Sequence, residues 1–198
     1  MKKVLQLFVS GICAGVAIAI GGLAFLITGS PWVFPIGLFI VCLLGFHLFT
    51  GKVAYAEPKH VLPLLIIWVG NVIGAILLGL IVRYSYPSEI AFSARNLATS
   101  KIWNFWVVIP RGILCNIMIF IAVQCWSTKK PIIQCAGLFF ATAIFVLCKF
   151  EHCIANVFYF AASGTFNWQY VLYIFVNTLT NAIGGIMAYR TVQFIKGE

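Results

Sequence analysis

An apolar segment in the second half of the chain is broken near its centre by four residues, Lys149-Phe150-Glu151-His152. The apolar residues around this break run from about 131 to 162. One helix needs only about 20 residues to cross a membrane. A break exposes backbone N–H and C=O groups that lipid cannot hydrogen-bond. The stretch therefore predicts irregular backbone inside a membrane protein, where it lines protein or a water-filled cavity.

A second apolar segment, residues 33–56, is interrupted in a similar way by Thr50-Gly51-Lys52. Gly51 permits a tight turn, and Thr50 offers one hydroxyl. Considered alone, Thr50 is typical of a hydroxyl bonded to a helix carbonyl. Two interrupted segments in one chain instead indicate a single pathway that both of them line.

The composition excludes a soluble globular protein, since 63% of the residues are hydrophobic and 9% are charged, against about 25% charged in soluble domains. Residues 4–51, 61–82, 112–128, 131–148 and 152–189 carry no charge. The net charge of +9 is expected to set membrane topology, because there is no basic face for nucleic acid. The seven cysteines form no CxxC pair and are predicted to be reduced.

Six segments are long enough to cross a bilayer. The predicted spans are residues 8–28, 33–56, 61–82, 102–126, 131–162 and 168–195, with a polar connection over 83–101. The first span extends past the length of a signal-peptide core and is expected to be retained. Under this scheme eight Lys and Arg residues fall on one side and four on the other, which favours cytoplasmic termini in the cell membrane.

The two halves of the chain resemble each other. The third segment contains Gly70-Asn71-Val72-Ile73-Gly74, and the sixth contains Asn181-Ala182-Ile183-Gly184. The second and fifth segments are the interrupted ones, and three spans in each half reverse the direction of the second half. The sequence therefore predicts an all-α membrane protein of one domain, residues 1–198. Its inverted repeats are about 1–100 and 101–198, with the site near the midplane, as in a channel or transporter.

The second break carries the strongest chemical signal, because an ionisable side chain within a membrane is a functional candidate. The alternative for His152 is a structural role, with its ring donating to a carbonyl. Glu151 is interpreted as a satisfied ion pair with Lys149. His47, near the first break, is either a surface group or a second titrating one. The three histidines lack metal-ligand spacing, so neither a metal nor a cofactor is expected.

Three motifs carry a resemblance to a known family: residues 45–51 (GFHLFTG), 111–116 (RGILCN) and 150–156 (FEHCIAN). Together they resemble the signatures of the formate/nitrite transporter family. The resemblance implies an aquaporin-like protomer of six helices, assembled as a homopentamer with one pore in each protomer. Aromatic residues around the spans and small-residue pairs such as Gly70 with Gly74 and Gly184 with Gly185 also favour an oligomer. The implied permeants are small monovalent anions such as formate, nitrite, hydrosulfide or lactate.

The resemblance also implies roles for individual residues. The central histidine corresponds to His152, the loop threonine to Thr50 and the vestibule lysine to Lys101. Anion attraction is assigned to Lys101 and Lys149, and pore polarity to His152, Thr50, Asn116 and Asn181. The apolar constriction corresponds to Phe34, Leu38, Leu48, Phe49 and Phe145. Two positions depart from the family pattern: His47 replaces an acidic residue, and Lys149 replaces a glycine.

These residues suggest how an anion would cross. An unpaired charge is costly among Phe and Leu side chains, so we expect the anion to take a proton from water or from His152 and to cross as the neutral acid. The alternative is a neutral pore for water or glycerol, although the chain has no NPA motif. A membrane enzyme is not expected, because the chain has four acidic residues and no GxSxG motif.

Overall fold

The computed structural model describes residues 2–165 and 167–197, and every regular element within them is helical. These residues form nine α-helices: α1 Lys2–Thr28, α2 Pro35–Leu43, α3 Phe49–Lys52, α4 Val61–Ser85, α5 Ser88–Trp103, α6 Val108–Ser127, α7 Pro131–Leu147, α8 Cys153–Ser163 and α9 Trp168–Lys196. Within the described part of the chain, four helical segments are apolar and long enough to cross a membrane: Lys2–Thr28, Pro58–Ser85, Phe105–Ser127 and Trp168–Lys196. The helical class predicted from the sequence is confirmed.

The long helices pack in two pairs, α1 with α4 and α6 with α9. Glycines allow each pair to approach closely: a Cβ atom on Gly15 would meet the backbone of Asn71, and one on Gly184 would meet the backbone of Ile113. Gly70 and Gly74 likewise lie against the backbone of α1. The prediction that Gly70, Gly74 and Gly184 serve contacts between subunits is therefore wrong, because their space is filled within the chain.

Two pairs of shorter helices occupy the interrupted segments. Residues 44–48, here called break one, separate α2 from α3, and residues 148–152, called break two, separate α7 from α8. The sequence placed the first interruption at Thr50-Gly51-Lys52, and that position is wrong, since these three residues lie in α3. The chain instead turns at Gly45, whose positive φ of 67° ends α2. Break one is thus made largely of apolar residues, which conceal it in a hydropathy pattern.

The polar connection predicted over residues 83–101 contains a helix, α5. Ala94 and Ala98 on this helix are fully buried, and α5 packs against α8. Small side chains let the two helices approach closely, so a helix of modest hydrophobicity is held by packing. Because α5 continues through Trp103, the next long helix begins at Val108 and not at Ile102. The helix brings Lys101, in its last turn, toward break two.

Candidate functional site

Break one begins with a helix end stabilised by two backbone hydrogen bonds. The Phe46 N–H donates to the Val41 carbonyl at 2.9 Å, and the Gly45 N–H donates to the Cys42 carbonyl at 3.4 Å. This pair of bonds is the Schellman motif, which satisfies carbonyls at the end of a helix and requires a left-handed residue. Glycine adopts that conformation without steric cost.

Break two repeats this helix end. The Phe150 N–H donates to the Phe145 carbonyl at 2.9 Å, and the Lys149 N–H donates to the Val146 carbonyl at 3.0 Å. Lys149 takes the left-handed position with φ of 56°. A side chain at this φ crowds the following carbonyl, at a cost of about 1–2 kcal/mol. Lys149, where the resemblance leads us to expect a glycine, is therefore the residue in the strained position.

Asn71 of α4 fastens break one to the long helices. Its Oδ1 accepts from the Phe49 N–H at 2.8 Å. Its Nδ2 donates to the carbonyls of His47 and Gly11, at 2.9 and 2.8 Å. These bonds satisfy the backbone groups of the break, which the surrounding apolar helices cannot do.

Asn181 of α9 does the same for break two. Its Oδ1 accepts from the Cys153 N–H at 2.9 Å, and its Nδ2 donates to the carbonyls of Glu151 and Gly112, both at 2.8 Å. The sequence assigned Asn181 to the site but omitted Asn71. The signal was present, because both asparagines occupy the same place in the repeated NxIG motif.

A direct contact between Thr50 and His152 joins the two halves of the chain. Thr50 Oγ1 lies 2.9 Å from His152 Nε2, and both side chains are buried. The other ring nitrogen, Nδ1, accepts from the Ala155 N–H at 3.2 Å. An accepting Nδ1 carries no proton, so the neutral ring holds its proton on Nε2 and donates it to Thr50. This contact replaces both alternatives. Thr50 does not use its hydroxyl on a helix carbonyl, and His152 donates to Thr50 rather than to a carbonyl.

Asn116 lies on the other side of Thr50. Its Nδ2 donates to the Thr50 carbonyl at 3.1 Å, while its Oδ1 is buried without a hydrogen-bond partner among the described residues. The site therefore brings Thr50, His152 and Asn116 together. Asn181 is not bonded to His152 and acts on the backbone of break two.

Lys101 and Glu151 form an ion pair beside His152. Lys101 Nζ lies 2.5 Å from Glu151 Oε2, and the two side chains are 11% and 5% exposed. The expected pair of Glu151 with Lys149 is wrong. Lys101 lies fifty residues before Glu151 in the chain, and α5 places the two side chains next to each other. The positive charge of Lys101 is thus compensated by the carboxylate of Glu151, which the sequence predicts to pair with Lys149.

Two further asparagines hold Glu151. Asn156 Nδ2 donates to Glu151 Oε2 at 2.9 Å. Asn177, with its amide oriented to satisfy its neighbours, donates to the Glu151 carbonyl at 2.8 Å and accepts from Asn156 at 2.7 Å. Neither residue was assigned to the site from the sequence. Asn156 is the last residue of the FEHCIAN motif, and Asn177 precedes Asn181 by one helical turn on α9.

Break two opens on a cavity of about 410 Å³. Its charged lining residues are Lys101, Arg111, Lys149 and Glu151, so three cations face one carboxylate. Glu151 is already bound to Lys101. The cavity therefore carries an excess of positive charge, to which Arg111, unassigned by the sequence analysis, contributes.

Apolar side chains close the inner end of this cavity. Phe34 and Phe145 line it and pack edge to face with ring centroids 5.4 Å apart, and Phe145 stacks on His152 at 6.0 Å. Leu38, Leu48 and Phe49 are buried and lie outside the cavity lining. The five predicted constriction residues are thus all buried, and two of them contact the cavity.

His47 occupies in break one the position that Glu151 occupies in break two. It is half-buried, and its backbone N–H donates to Ser10 Oγ at 3.0 Å. Ser10 Oγ also lies 2.7 Å from His47 Nδ1. The hydroxyl of Ser10 therefore bonds both the backbone and the ring of His47. The polar group of break one is therefore satisfied by a neutral neighbour on α1.

Comparison with known proteins gives a consistent result. A family model described as formate/nitrite transporter matches residues 1–195. The formate channel FocA of Haemophilus influenzae is 28% identical over 187 residues, covering 79% of this chain and 66% of the relative. The uncharacterized transporter YrhG of Bacillus subtilis is 28% identical over 183 residues, covering 82% of this chain and 69% of the relative. The chain thus spans about two thirds of the length of these curated relatives.

The fold also matches solved structures. A structure described as a pentameric formate channel with formate bound is 22% identical and superposes with a TM-score of 0.79, covering 99% of this chain and 96% of that one. The relatives and structural neighbours are channels and transporters, not enzymes. Among the residues described here, no group of three or more His, Cys, Asp or Glu side chains could hold a metal ion.

Proposed function

Because the chain belongs to the formate/nitrite transporter family, we propose that it is a channel or transporter for small monovalent anions of weak acids, such as formate, nitrite or hydrosulfide. The family and the apolar helices make it a membrane protein. The named relatives and the formate-bound neighbour support formate as the first anion to test.

One observation carries this proposal: the contact between Thr50 and His152 at the inner end of a cationic cavity. It links break two to α3, the helix that follows break one, and the irregular backbone of the breaks can line a pathway inside a membrane. The excess positive charge of the cavity concentrates anions before they meet the apolar constriction. His152 and Thr50 then offer polar atoms at the point where the anion leaves water.

The constriction formed by Phe34 and Phe145 determines the form in which the permeant crosses. Burying an unpaired charge there costs far more than protonating a carboxylate of pKa about 4 at pH 7, which costs roughly 4 kcal/mol. The permeant therefore takes a proton at the cavity floor. Both nitrogens of His152 are engaged, so a second proton on the ring would disturb one of these bonds. This arrangement favours cavity water as the proton source, with His152 orienting and polarising the permeant.

The proposed architecture has six spans in two inverted repeats within one domain, residues 1–198. Its support is the matching of the breaks: Asn71 binds break one and α1 as Asn181 binds break two and α6. We place both termini in the cytoplasm of a cell membrane from the distribution of Lys and Arg. A homopentamer is proposed from the pentameric neighbour alone, because the glycines once considered for subunit contacts pack within the chain.

A flux assay separates this proposal from a neutral-solute pore. The full chain in liposomes should pass formate, nitrite or hydrosulfide faster than glycerol, and His152→Phe should reduce anion flux strongly while the protein still inserts. The matched control is His60→Phe, which alters the histidine that ends the short 3₁₀ helix before α4. Rapid water or glycerol flux without anion flux would establish the neutral pore instead.

A further inference from the structure

We propose that Arg111 and Lys149 form a binding site for a small divalent oxyanion at the mouth of the cavity, and that such an anion blocks the pathway reversibly. The proposal deepens the function above, since it takes the cavity as the anion entrance. It assigns a ligand class, tetrahedral or planar dianions such as sulfate, to two residues of which one had no assigned role.

The distribution of charge in the cavity is the first support. Of its three cationic side chains, Lys101 is bound to Glu151, which is the only carboxylate among the described lining residues. Arg111 and Lys149 form no ion pair with any described acidic residue. Two cations therefore remain uncompensated in a cavity of about 410 Å³, and two positive charges match a dianion better than a monovalent one.

The neutral polar groups of the mouth provide the second support. Ser100 donates its hydroxyl to the Leu97 carbonyl, and Asn104 donates from its amide to the Ser100 carbonyl. Both residues line the cavity but are engaged with the backbone of α5. The charged donors left for an anion are the guanidinium of Arg111, whose planar fork suits oxyanions, and the ammonium of Lys149.

The backbone of Lys149 is the third support. Break one places Gly45 at the equivalent turn, whereas break two places a lysine there at φ of 56°. A strained residue persists where the surrounding structure holds it, and such residues cluster at ligand sites. The lysine adds a cation to the cavity mouth at a position where glycine would fit the backbone better.

A dianion held at this site would not proceed through the constriction. A monovalent anion of a weak acid becomes neutral when it takes one proton, while a dianion still carries one negative charge after the same step. That residual charge cannot enter the gap between Phe34 and Phe145 without a large desolvation cost. The dianion therefore occupies the entrance and competes with the permeant.

The test measures formate flux into proteoliposomes with external sodium sulfate or sodium chloride at equal ionic strength, so that screening is the same in both. Wild-type flux should fall with sulfate in a saturable manner and much less with chloride. Lys149→Gly and Arg111→Gln should each raise the half-inhibitory sulfate concentration about tenfold, as expected for one lost charged hydrogen bond. Lys129→Gly is the matched control, because Lys129 also has a left-handed backbone, with φ of 57°, and does not line the cavity.

Binding of radiolabelled sulfate to the detergent-solubilised full chain makes the result independent of transport. If the protein binds sulfate through Lys149 and Arg111 but passes no formate, the proposed function fails and the site stands. If sulfate inhibits no more than chloride, or Lys149→Gly is inhibited as strongly as wild type, the site is refuted. Should Arg111→Gln not fold, Arg111→Lys keeps the charge without the fork and should weaken sulfate binding by a smaller factor.

Discussion

The two breaks have the same backbone frame and different charges. Each begins with a Schellman helix end, and each is held by an asparagine from a long helix, Asn71 or Asn181. Break one places His47 after its turn and satisfies it with the neutral Ser10. Break two places Glu151 at that position and draws in Lys101 from α5. The backbone arrangement is thus present in both breaks, whereas the buried ion pair and the cationic cavity occur at break two.

The largest expected effect comes from Glu151, because its loss leaves Lys101 without a partner in a mostly buried position. Glu151→Ala should lower the free energy of unfolding by about 3 kcal/mol, as is typical of a broken buried ion pair. The equivalent change in break one, His47→Ala, removes one side-chain hydrogen bond to a neutral serine and should cost about 1 kcal/mol. Chemical unfolding of the detergent-solubilised protein measures both values.

A double variant controls for effects unrelated to the pair. Glu151→Ala combined with Lys101→Ala should be less destabilised than the sum of the two single changes, because the second removes the charge that the first left unpaired. Equal losses for Glu151→Ala and His47→Ala, or additive losses for the pair, would contradict the electrostatic difference between the breaks.

The next prediction concerns the asparagine that binds the backbone of each break. Asn71→Ala and Asn181→Ala each remove three hydrogen bonds, one to a backbone N–H and two to carbonyls. Each should therefore lower stability by about 2 kcal/mol, and by similar amounts. Asn96→Ala, on the exposed surface of α5, is the control and should change stability little. A loss confined to one asparagine would show that the two frames are not energetically equivalent.

The sequence predicts the helices and their interruptions better than it predicts which charged side chains pair. Hydropathy identifies the long apolar helices and the polar residues of break two. The helical class and the second interruption therefore follow from the sequence. Break one was misplaced because its turn is formed at Gly45 among apolar neighbours, while Thr50 and Lys52 only look like an interruption. The partner of Glu151 was missed because Lys101 becomes close only through α5, a helix held by packing of Ala94 and Ala98.

A smaller effect concerns the contact between α3, which follows break one, and break two. Thr50→Val removes the oxygen that accepts from His152 while keeping the shape of the side chain. The imidazole N–H would then lack a partner at the cavity floor, and formate flux should fall about tenfold, the equivalent of one hydrogen bond. Thr50→Ser keeps the oxygen and should retain most of the flux. Flux of Thr50→Val equal to that of wild type would mean that the contact is structural only.

The smallest effect is confined to the two turns, where Gly45 and Lys149 have nearly the same φ of 67° and 56°. Lys149→Gly should stabilise the protein by about 0.5–1 kcal/mol, because the relief of left-handed strain exceeds the added freedom of glycine in the unfolded chain. Gly45→Ala should cost a similar amount through the backbone alone, since a Cβ atom there meets no atom within 4 Å. The double variant should return close to wild-type stability, because the turns lie in separate breaks and their effects add. If Lys149→Gly is destabilising instead, the lysine side chain makes a favourable contact that outweighs its backbone strain, and the two turns differ in energy as well as in charge.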